Sequence, residues 1–161
     1  MNVLARQGSN VHIVAEQLQH GSLFGAMSAE GINFLLDHGQ IWQLEKNELL
    51  YSSGDVANRF FVVCSGEMRF IKEHGDVEMR TRRIGFGEEI GFVAMISLQP
   101  HGGRVEAAEP SIVLEVSCDL YAQLQVHYPQ DFGILTLNLA RDMARNIQRL
   151  NRLLCDNLIQ Y

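Results

Sequence analysis

Three patterns of hydrophobic and polar positions follow one another along the 161 residues. Apolar residues first recur at helical spacing, at Val11, Val14, Ala15 and Leu18 and then at Ile32, Leu35 and Leu36, which predicts short helices over 11–20 and 28–38. Ser28 offers a capping oxygen and Glu30 an acid in the first turn, although Gly31 in place of a Glu or Gln leaves this a weak helix start. From about residue 40 to 116 the pattern changes to short apolar runs punctuated by Gly, Asp and Asn, at 41–44, 48–51, 59–64, 67–72, 77–84, 103–107 and 111–116. His74-Gly75-Asp76 reads as a hairpin turn. Seven or eight short strands in series predict a mainly β protein with flanking helices, a double-stranded β-helix of the jelly-roll kind.

Beyond Val116 the helical pattern returns. Ser117 can cap a helix over Leu120, Leu124 and Val126 that Pro129 ends. A longer helix then runs from about 131 to 159, with Ala140, Met143, Ile147, Leu150 and Leu154 forming an apolar seam at spacings of three and four. At ~1.5 Å per residue it is roughly 40 Å long. That exceeds what a lone domain needs, so it is expected to form a homodimer through this seam. Arg141, Arg145, Arg149 and Arg152 fall opposite the seam and read as a solvated face, or as a dock for an acidic partner. The chain is thus one domain in three parts: N-terminal helices over 1–39, a β-roll over 40–116 and C-terminal helices over 117–161.

Composition narrows the chemistry. Hydrophobic content of 47% and charged content of 20% are those of an ordinary globular domain. Thirteen Lys and Arg against nineteen Asp and Glu give a formal charge of -6, which argues against direct nucleic-acid binding. Cys64, Cys118 and Cys155 are odd in number and widely spaced, as expected of reduced, mostly buried thiols in a cytoplasmic protein. No signal peptide or membrane-spanning run is evident. The six histidines, at 12, 20, 38, 74, 101 and 127, offer no paired metal-ligand spacing. With no nucleophile elbow and no Walker loop either, no catalytic or metal residue is nominated and the chain does not read as an enzyme.

Two segments carry a family resemblance. Residues 87–107 follow the spacing G-[DE]-x-[FI]-G-E-L-A-x-[LI]-x-x-x-P-R-x-A-x-V-x-A, with Gly87, Gly91, Ala94, Pro100, Val105 and Ala107 in register. Residues 51–70 fit a second signature through Gly54, Asp55, Asn58, Phe60, Phe61, Val63, Gly66, Met68 and Phe70. Together they resemble the cyclic-nucleotide-binding domains of catabolite-activator-type regulators. The stretch from Ser22 to Glu30 is similar to the family's leading helix, and 129–159 to its long C-terminal helix.

The resemblance implies a regulatory sensor with a phosphate-binding cassette at Gly91, Phe92, Val93, Ala94, His101, Gly102 and Gly103. A cyclic nucleotide or another small anionic ligand would sit there, with base-side contacts at Leu150 and Asn151. Two positions depart from the family. Phe92 replaces the Glu that takes the ribose hydroxyl, and His101 replaces the Arg that grips the phosphate. A stranded hydroxyl costs about 1–3 kcal/mol and a lost charged fork about 1.5–3 kcal/mol, so usual contacts are expected to weaken about a hundredfold or more. Phe92 then either fills the core of an abandoned pocket or walls a retuned one. The family's helix-turn-helix is not found by Tyr161. The chain accordingly reads as a ligand sensor, with two alternatives: a non-binding dimerisation or interaction module, or the sensor half of a transcription regulator.

Overall fold

The computed structural model describes residues 2–4, 13–74 and 77–158. The order of elements is β1 (Asn2–Leu4), α1 (Ala15–Leu18), α2 (Ala29–His38), β2 (Gln40–Leu44), β3 (Leu49–Tyr51), β4 (Arg59–Ser65), β5 (Met68–His74), β6 (Val77–Ile84), β7 (Glu89–Ile90), α3 (Phe92–Ser97), β8 (Arg104–Ala107), β9 (Ser111–Ser117), α4 (Cys118–His127) and α5 (Pro129–Leu158). Two antiparallel sheets, ordered β1-β2-β9-β4-β7 and β3-β8-β5-β6, face each other as the expected β-roll.

The middle of the first sheet is covered on both faces, and β4 shows why its sequence does not alternate. Phe61 and Val63 point into the roll, against Met68, Ile90 and Val113. Phe60, Val62 and Cys64 point the other way, into a second core built by the helices. A strand covered on both sides needs apolar residues throughout, which gives the unbroken buried run over 60–64.

Both short helices lie where the pattern put them, with different bounds. α1 is a single turn, and Val11 lies outside the described residues. Ser28 caps α2 fully, its Oγ accepting from Gly31 N at 3.0 Å. The cap needs only that backbone N–H, which glycine supplies as well as any residue. Ser117 caps α4 in the same way, accepting from Leu120 N at 3.1 Å. Pro129 both follows α4 and opens α5, two residues before the expected start, because proline suits the first helical position.

The strands β1 and β7 were not legible as runs, being three and two residues long. β5 and β6 pair up to His74 and Val77, while Gly75 and Asp76 of the expected hairpin turn lie outside the described residues. The thiols depart from expectation. Cys64 is buried and pushed up to about 12 by desolvation, but Cys118 and Cys155 are exposed. Cys118 opens α4 and Cys155 sits on the distal part of α5, where nothing among the described residues covers it.

α5 has two halves. Leu135 and Leu139 are fully buried among the helices, while Ile147, Leu150, Leu153 and Leu154 are exposed. Polar side chains clamp the buried half to the loop ahead of α2. Asp131 accepts from Ser28 N at 2.7 Å and from Ser28 Oγ at 2.6 Å. Asn138 Nδ2 donates to the carbonyls of Leu23 and Gly25, both at 2.9 Å. The same loop touches the head of the cassette, where Gly21 and Gly87 meet so closely that a Cβ on Gly21 would lie 2.6 Å from Gly87 Cα.

Candidate ligand-binding cavity

The cassette backbone is built as its glycines suggest. β7 ends at Ile90, and Gly91 turns the chain into the short helix α3 with φ of 91°, a left-handed conformation that disfavours side chains. A Cβ at Gly91 would also lie 2.9 Å from His101 Cε1. Beneath this turn lies a cavity of about 510 Å³. Its walls come from three directions. The roll supplies Tyr51, Phe70, Ile84 and Ile90; the cassette supplies Gly91, Val93, Ala94, His101 and Gly102; and α5 supplies Asn146, Arg149 and Leu150.

Phe92 does not line it. Its side chain turns away into the helical core, 3% exposed, with its ring edge-on to Phe60 at 5.4 Å and to Tyr121 at 5.9 Å. The reading in which Phe92 walls a retuned pocket is therefore corrected. An aromatic at the first position of α3 finds a ready apolar site between β4 and α4, and takes it. Of the two readings, core filling describes where the ring lies. The cavity itself stays open.

His101 is not a free loop side chain either. It is buried, and its ring lies flat on Tyr51 at 3.7 Å between centroids and 13° between planes. Its backbone is fixed as well, donating to Asp55 O at 3.0 Å and accepting from Gly54 N at 2.8 Å. Burial lowers its pKa, against a smaller opposing pull from Asp55, so the ring is held neutral where the family carries a permanent cation. Gly102 is open, with nothing within 4 Å of a hypothetical Cβ. Gly103 is not, since a Cβ there would lie 2.6 Å from Phe70 Cζ.

The charged groups of the cavity come from elsewhere, and the sequence reading did not single them out as a site. Lys72 on β5, Arg82 on β6 and Arg149 on α5 face the same space, with Glu89 of β7 as the carboxylate. Arg82 Nη2 pairs with Glu88 Oε1 at 2.9 Å. Glu89 is 4% exposed and its Oε2 accepts from Phe92 N at 3.0 Å, so it caps α3. Burial raises the Glu89 pKa, opposed by that hydrogen bond and by Arg82, while Asp142 and Glu88 add to the rise. Tyr51 is pushed up too, first by burial and then by Glu89, so its hydroxyl remains a proton donor.

The four arginines of α5 are exposed, as a solvated face requires, although two of them reach back to the buried Asn138 and Asp142. Arg141 Nη1 donates to Asn138 Oδ1 at 3.0 Å and Arg145 Nη1 pairs with Asp142 Oδ1 at 2.9 Å. Arg149 comes next on this side and reaches the cavity, one helical turn from Asn146. Leu150 lines the cavity as well, but Asn151 is exposed and does not. In the seam, Met143 packs partly on the helical core, while Ala140, Ile147 and Leu154 face outward.

A roll of two sheets with a glycine-turned helix over a cavity that a long helix also lines is a frame suited to holding a small molecule. The profile of the cyclic nucleotide-binding domain matches residues 41–127, and the chain belongs to that family. Among solved structures, a cyclic nucleotide-binding domain from Methylobacillus flagellatus superposes with TM-score 0.75 at 23% identity, covering 89% of this chain and 82% of that one. The catabolite activator protein of Thermus thermophilus gives 0.72 at 22% identity, covering 83% and 62%. A patatin-like phospholipase domain-containing protein of Caenorhabditis elegans is 30% identical over 101 residues, 62% of this chain. The chain spans only 7% of that protein and of the fungal lysophospholipases it also matches. Among the described residues, no helix is long and apolar enough to cross a membrane.

Proposed function

We propose that this chain is the ligand-sensing module of a regulator, working as a dimer, in which the usual cyclic-nucleotide contacts of the cassette are weakened. One observation carries the reading: the cavity is open while neither chemically committed position offers the family's usual contact, Phe92 having left it and His101 lining it as a neutral ring. Phe92 is in the core and His101 lies neutral on Tyr51. A relic fold would be expected to have filled the space. The dimer rests on the exposed apolar residues of distal α5, Ile147, Leu153 and Leu154, an arrangement typical of a helix that packs on a copy of itself.

Signalling follows from the two halves of α5. The first is clamped to the body by Asp131 and Asn138, while the second touches it through Asn146, Arg149 and Leu150 at the cavity. A ligand that contacts those three side chains favours the arrangement in which distal α5 lies against the roll. Hydrogen exchange of residues 143–158, measured with and without saturating cyclic AMP, tests this. Slower exchange there in the bound protein is expected, together with a dimer mass by light scattering. Unchanged exchange at saturation would contradict the sensor reading.

A further inference from the structure

We propose that the cavity takes its ligand's negative charge at Lys72 and Arg149, on the wall formed by β5 and α5, and not at the cassette. The ligand class is an anion on a flat, largely apolar body. This deepens the sensor reading above and rests on it.

The argument is one of charge matching. At the cassette, the cation is gone: His101 is buried and stacked on Tyr51, and Gly102 brings no side chain. One α3 amide, that of Phe92, is already satisfied by Glu89 Oε2. Glu89 also places an acidic side chain at this end of the cavity, which supplies no positive charge for an anion there. Arg82 is matched by Glu88 at 2.9 Å and lies within electrostatic reach of Glu89. Lys72 and Arg149 remain. Both face the cavity, and neither has an ion-pair partner among the described residues.

Two cations from different elements, without ion-pair partners among the described residues, border one partly open cavity in a chain of net charge -6 and so offer an anion site. The remaining walls are apolar faces, Phe70, Ile84 and Ile90 among them, which suit a planar body and not a second charged group. Because Arg149 belongs to α5, the ligand's charge would engage the long helix directly.

The test compares cyclic AMP with adenosine, which shares the body and lacks the charge, by equilibrium dialysis or NMR titration up to millimolar concentration. The unaltered protein is expected to prefer cyclic AMP by about tenfold or more. In the double variant Lys72→Gln with Arg149→Gln, both exposed positions, that preference should fall to within about threefold with the melting temperature unchanged. His101→Ala should keep it. Loss of the preference in His101→Ala with retention in the double variant would put the charge on the cassette and overturn the proposal. Equal binding of both compounds by the unaltered protein would overturn it too, while leaving the sensor reading intact. If neither compound binds, the sensor reading fails for nucleotides and the proposal falls with it.

Discussion

Replacing Phe92 by Glu, the residue the family carries there, separates a cavity wall from a core side chain. If the ring faced the cavity, Phe92→Glu would cost little stability and would improve binding of a ribose. Its actual surroundings predict the reverse. The ring is 3% exposed and meets Phe60 and Tyr121 edge-on. Removing such a buried phenyl group costs about 3–5 kcal/mol, with the two aromatic contacts included. Forcing a carboxylate into the same site adds several kcal/mol unless it takes up a proton. Against a typical total of about 5–15 kcal/mol, the variant should be largely unfolded or severely weakened. Phe92→Leu keeps most of the apolar volume and should cost about 1–2 kcal/mol. Urea denaturation followed by fluorescence of the single tryptophan, Trp42, reads both, since Trp42 Nε1 is tied to Glu115 Oε2 at 2.8 Å. A Phe92→Glu protein with an unaltered midpoint would refute the placement of the ring and the reasoning built on it.

Other perturbations test separate parts of the account. Burial raises the Glu89 pKa above its ordinary 4.5, so the folded state holds a proton that the unfolded chain releases. The contribution of Glu89 to stability therefore falls as pH rises from 4.5 through the folded value. Glu89→Gln keeps an acceptor for Phe92 N, and its melting temperature relative to the unaltered protein should climb over that interval; a constant difference would contradict the raised pKa. Asn138→Ala strands the carbonyls of Leu23 and Gly25 and should cost about 1–3 kcal/mol, measured by thermal unfolding. Ile147→Glu with Leu154→Glu places charge on the exposed seam and should convert a dimer to a monomer by light scattering, whereas an unchanged mass removes the seam from the interface.

The fold was legible because its signals are local. Ser28 and Ser117 as caps, Gly54 and Gly66 at positive φ and the run at β6 report on backbone geometry that nearby residues decide. The cavity was legible in outline only. Gly91 and its neighbours located it, yet a pattern of residue types could not say that Phe92 would turn into the core, since β4 and α4 decide that from outside the segment. The arginines of α5 show the same limit. Helical spacing set them on an exposed side opposite the seam, but the bonds of Arg141 and Arg145 to Asn138 and Asp142, and the place of Arg149 beside the cavity, depend on how α5 docks. Lys72 and Glu89 belong to strands of different sheets, and only closure of the roll brings them to one space.

Calorimetric titration of the unaltered protein with cyclic AMP is the most direct test of a cavity kept open beneath a disarmed cassette. Without the ribose acceptor and the phosphate fork, affinity should be weaker by about a hundredfold or more than an intact cassette would give, with no saturation at micromolar ligand. Saturable micromolar binding would contradict the account.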